Sequence, residues 1–176
     1  DPHNVMSVGI PVHANTYKTW EARSAYFEQL MAKAATVPGV NMVAISTNAT
    51  PPANGWNTTV EVLGKPAQND QKARINFISP GYFPLLHIPL AQGRIWDETE
   101  NRHAAHLAVI NETMARAYFP NGDAIGHSIK IPDMKDEPPF TLVAQGAEGS
   151  WLQVVGIVAD KRDDGLRKPI LPEAYI

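Results

Sequence analysis

An α+β fold is what this sequence predicts: a lobe built on a β-α-β unit, followed by a β-rich lobe with short helices. Three observations predict it. Met6, Val8, Ile10 and Val12 alternate with period two, while Tyr17, Trp20, Ser24, Phe27, Met31 and Ala34 recur at steps of three and four. Beyond Asn57 the apolar runs are short and separated by turn residues, the pattern of a small β-rich unit. The 176 residues are 44% hydrophobic and 19% charged with a net charge of −3, which excludes a disordered chain and leaves enough material for a real core. No segment is strongly basic, so nucleic acid is not a partner.

The elements follow in order. Val5–Val12 reads as a strand whose end Pro11 places at an edge. Tyr17–Ala34 is an amphipathic helix of four to five turns, with Lys18, Glu21, Glu28 and Lys33 off its apolar stripe and Pro38-Gly39 as its stop. Val40–Ile45 supplies a second strand. Asn48–Asn57, with two prolines, a glycine and three asparagines, marks a linker. Strands are then expected over Thr58–Leu63, Arg74–Ile78, Leu107–Ile110, Ile129–Ile131, Phe140–Ala144 and Leu152–Ala159. A turn with about one helical turn falls at 79–86, and a short helix capped by Asn111 runs from Glu112 to Phe119.

Chemistry is sparse. There is no cysteine, so disulfides, thiolate zinc sites and a cysteine nucleophile are excluded. No phosphate loop, dinucleotide fingerprint, nucleophile elbow or zincin motif occurs. Asp160–Gly165 has the outline of a calcium loop, but Arg162 and Leu171 stand where oxygen ligands are required. His103 and His106 are spaced to face one way on a helix, with only Asp97, Glu98 and Glu100 near to complete a metal site. The acids at 97–100, 133–137 and 160–164 have no evident partner for general acid–base work. Trp20 belongs to the helix stripe, and Trp96 and Trp151 border strands; Trp56, in the linker, is the aromatic expected to be exposed. No catalytic residue, cofactor or metal is assigned.

Four runs together resemble a known family. They are Phe27-x-x-Leu30 with Val37-Pro38-Gly39-Val40-x-x-Val43-Ala44; Ile78-Ser79-Pro80-Gly81-Tyr82-Phe83-x-x-Leu86-x-Ile88-Pro89-Leu90-x-x-Gly93-Arg94; Val109-Ile110-Asn111-Glu112-x-x-Ala115-x-x-Tyr118-Phe119-Pro120 with Ala124-Ile125-Gly126; and Val154-Val155-Gly156-Ile157-Val158-x-Asp160 with Gly165-Leu166 and Pro172-x-x-Tyr175. In this order and spacing they are similar to the MacB-like periplasmic core domain of ABC-transporter permeases, in the FtsX-like permease superfamily, and most to permeases without a fused ATPase. Pro38, Gly39, Gly81, Tyr82, Phe83, Gly93, Arg94, Asn111, Tyr118, Phe119, Pro120, Gly126, Gly156 and Asp160 are the signature positions, with structural roles and no catalytic one. The sequence departs from the pattern at His87, where glycine is usual, at Lys161, where an apolar residue is usual, and in a long loop over 132–150.

The resemblance implies a porter-like α+β lobe beginning in residues 1–49, an inserted β-rich lobe over 50–170, and a return towards the first lobe in 171–176. It also implies an extracytoplasmic domain between two membrane helices, with the second half of the porter-like lobe beyond Ile176. The expected function is non-catalytic: a relay of ATP-driven transmembrane motion to substrate or periplasmic partners. The expected partners are the transmembrane helices of the same permease, a separate cytoplasmic ATPase subunit acting indirectly, and a second copy through a strand edge left exposed in residues 1–48. The rival reading is a secreted or periplasmic ligand-binding module using Trp56 and the loops 97–106 and 132–150.

Overall fold

The computed structural model describes residues 4–11, 16–17, 19–48, 55–66, 71–134, 149–162, 165 and 167–176. Its first element is the expected helix, α1 (Trp20–Ala35). Thr19 caps it by accepting a hydrogen bond from the Ala22 N–H at 3.2 Å, and Gly39, at φ +88°, turns the chain after it. Among the described residues the two strands expected to flank α1 do not form. Residues 5–11 and 40–45 carry no ladder, and only Ser46 makes an isolated bridge, to Ile78. Period two makes a strand only where a partner takes up the backbone hydrogen bonds, and Met6, Val8 and Ile10 remain exposed. The strand edge expected to recruit a second copy is therefore not a strand among the described residues.

Residues 56–176 form one mixed sheet, and its closure is the main feature of the fold. The strands are β1 (Trp56–Thr59), β2 (Glu61–Val62), β3 (Lys72–Asn76), β4 (Leu90–Gly93), β5 (Leu107–Asn111), β6 (Ser128–Lys130), β7 (Leu152–Val158) and β8 (Glu173–Tyr175). The hydrogen-bonded order is β1-β3-β8-β5-β7-β6-β2, with β4 on β7 beside this path. Only Val60 separates β1 from β2, so one kinked strand stands at both ends of the order and the sheet closes into a barrel. Three short helices attach: α2 (Tyr82–Leu85), α3 (Glu98–Arg102) and α4 (Glu112–Tyr118). The segment 97–106, read as a loop, thus holds a helix. The expected strand 140–144 lies outside the described residues.

Alternation along each stave sorts the apolar residues into two cores. Ala73, Ile75, Ala108, Ile110, Val154 and Ala174 point inward with Val60, Ile129 and Leu152, and Met114 of α4 joins them. The intervening Val109, Val155 and Tyr175 point outward, onto Ile78, Phe83 and Trp96. Residues 173–175, read only as part of the returning chain, are the stave between β3, to which β8 is parallel, and β5, to which it is antiparallel.

Candidate functional site

Most of the signature residues gather in three places on the barrel. The first is the crossing of β4 and β7, where Gly93 is paired with Gly156. A Cβ on Gly156 would stand 2.2 Å from the Arg94 carbonyl oxygen, and one on Gly93 the same distance from that of Val155. The strands approach this closely because neither residue has a side chain. Arg94 leaves the crossing to hold α3, donating to both Glu100 carboxylate oxygens at 2.6 and 2.7 Å. That hydrogen bond, with another from the Asp97 backbone, lowers the Glu100 carboxyl from its ordinary 4.5 to about 2, and it raises the Arg94 guanidinium in turn.

The second is the start of α4. Buried Asn111 accepts from the N–H groups of Met114 and Glu173 at 2.9 and 3.0 Å and donates to the Leu171 carbonyl, so one side chain caps α4 and fixes the entry to β8. Asp160, just past β7, accepts from the Thr113 N–H and hydroxyl and from Arg116 at 2.8–2.9 Å. Burial pushes its carboxyl up, but these hydrogen bonds outweigh that and leave it lowered. At the other end of α4, the Tyr118 hydroxyl donates to the Lys72 carbonyl, Phe119 is buried, Pro120 is exposed, and Gly126, at φ +88°, donates to the Val154 carbonyl.

In the third, Gly81 is the N-cap of α2, and Tyr82 and Phe83 are buried against Trp96 and Tyr175. The Phe83 ring is edge-on to both, with centroids 6.5 and 4.9 Å away. Pro38 and Gly39 stand apart, exposed at the end of α1. Of the three departures from the pattern, the loop over 132–150 lies mostly outside the described residues, and the other two have a physical counterpart. His87 sits at φ +54°, where glycine is at ease. Lys161, with Nζ 3.0 Å from a carboxylate oxygen of buried Glu173 and 5.7 Å from the Tyr175 ring centre, is accommodated in a partly buried ion pair.

Sequence reasoning missed the seam between α1 and the barrel. The Thr47 N–H donates to the Phe77 carbonyl, that of Ser79 to the Ile45 carbonyl, and that of Ile45 to the Ser79 hydroxyl. The fully buried Asn76 side chain accepts from the Ser46 and Thr47 hydroxyls and the Asn48 N–H. An amide amid the apolar residues Ile75, Phe77 and Ile78 was the signal available. Asn48, expected to begin a linker, is thus fastened to β3.

Above this seam α1 and the barrel leave a groove of about 220 Å3. Trp20, Phe27 and Met31 form one wall; Ile78, Trp96 and Leu152 stand opposite, with α3 and residues 104–107 along the rim. The apolar stripe of α1 is only half-buried, and the one buried residue of the helix is Arg23, 4% exposed, which donates to the Tyr17 carbonyl. An ion pair crosses the groove, Arg102 to Glu28 at 3.5 Å. His106 lines the rim, while His103 is turned back onto the Thr99 carbonyl. Among the described residues no three His, Cys, Asp or Glu side chains gather as a metal site. Trp56 is half-buried against the barrel core, not exposed as expected, because it opens β1. No helix among the described residues is long and apolar enough to cross a membrane.

Residues 4–171 match the MacB-like periplasmic core domain. The chain belongs to that family. Two curated relatives are a probable export ATP-binding/permease protein MacB of Pseudomonas entomophila, 31% identical over 88 residues, and a macrolide export ATP-binding/permease protein MacB of Nitrosomonas europaea, 32% identical over 93 residues. Each alignment covers 49% of this chain but only 13% and 14% of the relative, so the chain corresponds to a small part of those proteins. The fold is similar to the periplasmic region of MacB from Actinobacillus actinomycetemcomitans (TM-score 0.56, 17% identity, covering 84% of this chain and 53% of that one). It is equally similar to the extracellular domain of the noncanonic ABC-type transporter YknZ from Gram-positive bacteria (TM-score 0.56, 18% identity, 84% and 60%). The protein is thus an extracytoplasmic α+β domain of the MacB-like periplasmic core domain family.

Proposed function

We propose that this domain is a non-catalytic relay, passing ATP-driven movement of the permease's transmembrane helices to a substrate or a periplasmic partner, with the ATP hydrolysed on a separate cytoplasmic subunit. The observation that carries this reading is the seam. The α1-bearing part, residues 1–49 in this reading, is fastened to the barrel-bearing part, 50–170, at residues 45–48, while α1 itself stands over a groove. A stiff barrel fastened at a narrow place to a helix that stands over a groove can take up hinge or shear motion. The signature residues, packed into turns, caps and the strand crossing, then serve to keep the barrel rigid. These 176 residues have no cysteine, so a Glu28→Cys, Arg102→Cys pair in the full-length permease introduces the only thiols among them. Tying the two together across the groove should stop transport while ATP still binds, and reduction should restore it. Undiminished transport by the cross-linked protein would remove the relay.

A further inference from the structure

We propose that residues 43–48 are a releasable latch on the barrel, and that the domain bends where they come away from 76–79. The segment 76–79 lies between two runs of chain, and its backbone N–H groups alternate between them. Those of Phe77 and Ser79 point to the latch, donating to the Thr47 hydroxyl and the Ile45 carbonyl, each at 3.0 Å. That of Ile78 points the other way and donates to the Ile176 carbonyl at 2.9 Å, while the Ile176 N–H donates to the Asn76 carbonyl. The two sides are built unequally. On the far side β3 and β8 share a parallel ladder, and β8 is buried along its whole length. On the latch side the pairing is an isolated bridge, Ser46 to Ile78, and the side chains of Ser46, Thr47, Asn48, Asn76 and Ser79 carry much of the attachment.

The chemistry of this side suits it to letting go. The Ser46 hydroxyl has one hydrogen and two acceptors in reach, the Asn76 side-chain oxygen at 2.9 Å and the Asn48 carbonyl at 2.8 Å. Its oxygen also accepts from the Asn48 N–H at 3.1 Å, so a turn within 46–48 outlives the contact with Asn76 and keeps these groups paired. The buried Asn76 oxygen faces donors that all belong to the latch, so their departure admits water to it rather than stranding it. Gly81 sets how closely the latch lies. A Cβ there would stand 3.3 Å from the Val43 carbonyl oxygen and 3.9 Å from the Ala44 Cβ, although its backbone, at φ −68° and ψ −8°, suits any residue. The latch rests on the relay reading for its use, as the joint at which the α1-bearing part swings, but its opening is measured without transport.

Amide hydrogen exchange on the 176-residue chain, read residue by residue, tests it. Ile45, Thr47, Phe77 and Ser79 should show protection within about threefold of one another and at least about tenfold below that of Ile78. Gly81→Ala should lower the protection of the whole set several-fold further and leave Ile78 unchanged. Thr47→Val keeps the shape of the side chain and removes its hydroxyl, so Phe77 loses its acceptor directly. Ile45 and Ser79, bonded to each other and not to that hydroxyl, should loosen with it. Ile78 exchanging with the set, a wider spread inside it, a fall under Gly81→Ala that Ile78 shares, or Ile45 and Ser79 unmoved by Thr47→Val would each overturn the latch. Should Gly81→Ala not fold, Thr47→Val, at an exposed position, decides. If the latch opens as a unit while the cross-linked permease still transports, the latch stands and the relay is lost.

Discussion

His87 and Ala104 hold backbone angles that L-residues adopt at a cost, φ +54° and +50°. Ala104 stands one residue past the C-cap of α3, in a turn where its N–H reaches the Asn101 carbonyl and that of Ala105 the Glu100 carbonyl; glycine usually fills that position. His87→Gly and Ala104→Gly should each stabilise the protein by about 0.5–1 kcal/mol, the left-handed penalty less the added freedom of glycine in the unfolded chain. Urea midpoints measure both, and a lower midpoint for His87→Gly would show that its side chain contributes more than its backbone costs. Phe83, wholly buried between Trp96 and Tyr175, predicts the opposite sign. Phe83→Ala should cost about 3–5 kcal/mol by leaving a cavity in the outer core; a loss within about 0.5 kcal/mol is the behaviour of a surface residue and would contradict its anchoring role. These positions were legible in sequence to different degrees. His87 stood out only against the family pattern, and Ala104 gave no sign, because backbone angle is not written in residue type when a non-glycine is forced into it.

The helix α3 is only five residues long and is held from outside its own ladder, by the Asp97–Glu100 capping box and by Arg94. Because folding lowers the Glu100 carboxyl to about 2, its contribution is full above its ordinary 4.5 and is lost as pH falls through about 2. The protection of the Glu100 and Asn101 amides, relative to an unstructured chain at the same pH, should fall over that window, and Arg94→Gln should move the change to higher pH. Protection that stays flat from pH 5 to about 2 would show that α3 is held by packing alone. Dependence on such distant partners explains which elements the sequence revealed. The stripe of α1, the apolar runs of β5 and β7 and the Asn111 cap on α4 are local signals, and all three were read correctly. The five-residue α3 and the three-residue β8, with a buried glutamate at its head, carry no period long enough to see. Conversely Val5–Val12 and Val40–Ile45 show the pattern of strands while their described residues lack the pairing that would make them so.

At the scale of the molecule, closure separates the barrel from α1. Amides of Ile75, Val109 and Val154, each buried in a stave with neighbours on both sides, should exchange only through global opening. Those of α1, whose apolar stripe is half-buried over a groove, should exchange at least about tenfold faster; equal protection would mean that the helix and barrel open as one unit. That an α+β domain with a β-rich second part was present could be read from period and turn spacing. That its sheet closes could not, since closure rests on a kink at Val60 and on a stave contributed from the far end of the chain. That last stave has a consequence for biosynthesis. β3 ends at Asn76 and β8, which lies between β3 and β5, begins at Glu173. Made from the N-terminus at about 5–20 residues per second, the chain must hold β3 with a side unpaired for on the order of 5–20 s, and β5 for on the order of 3–12 s, before the missing stave arrives. Over that interval the nascent chain presents open sheet edges, and the finished barrel hides them.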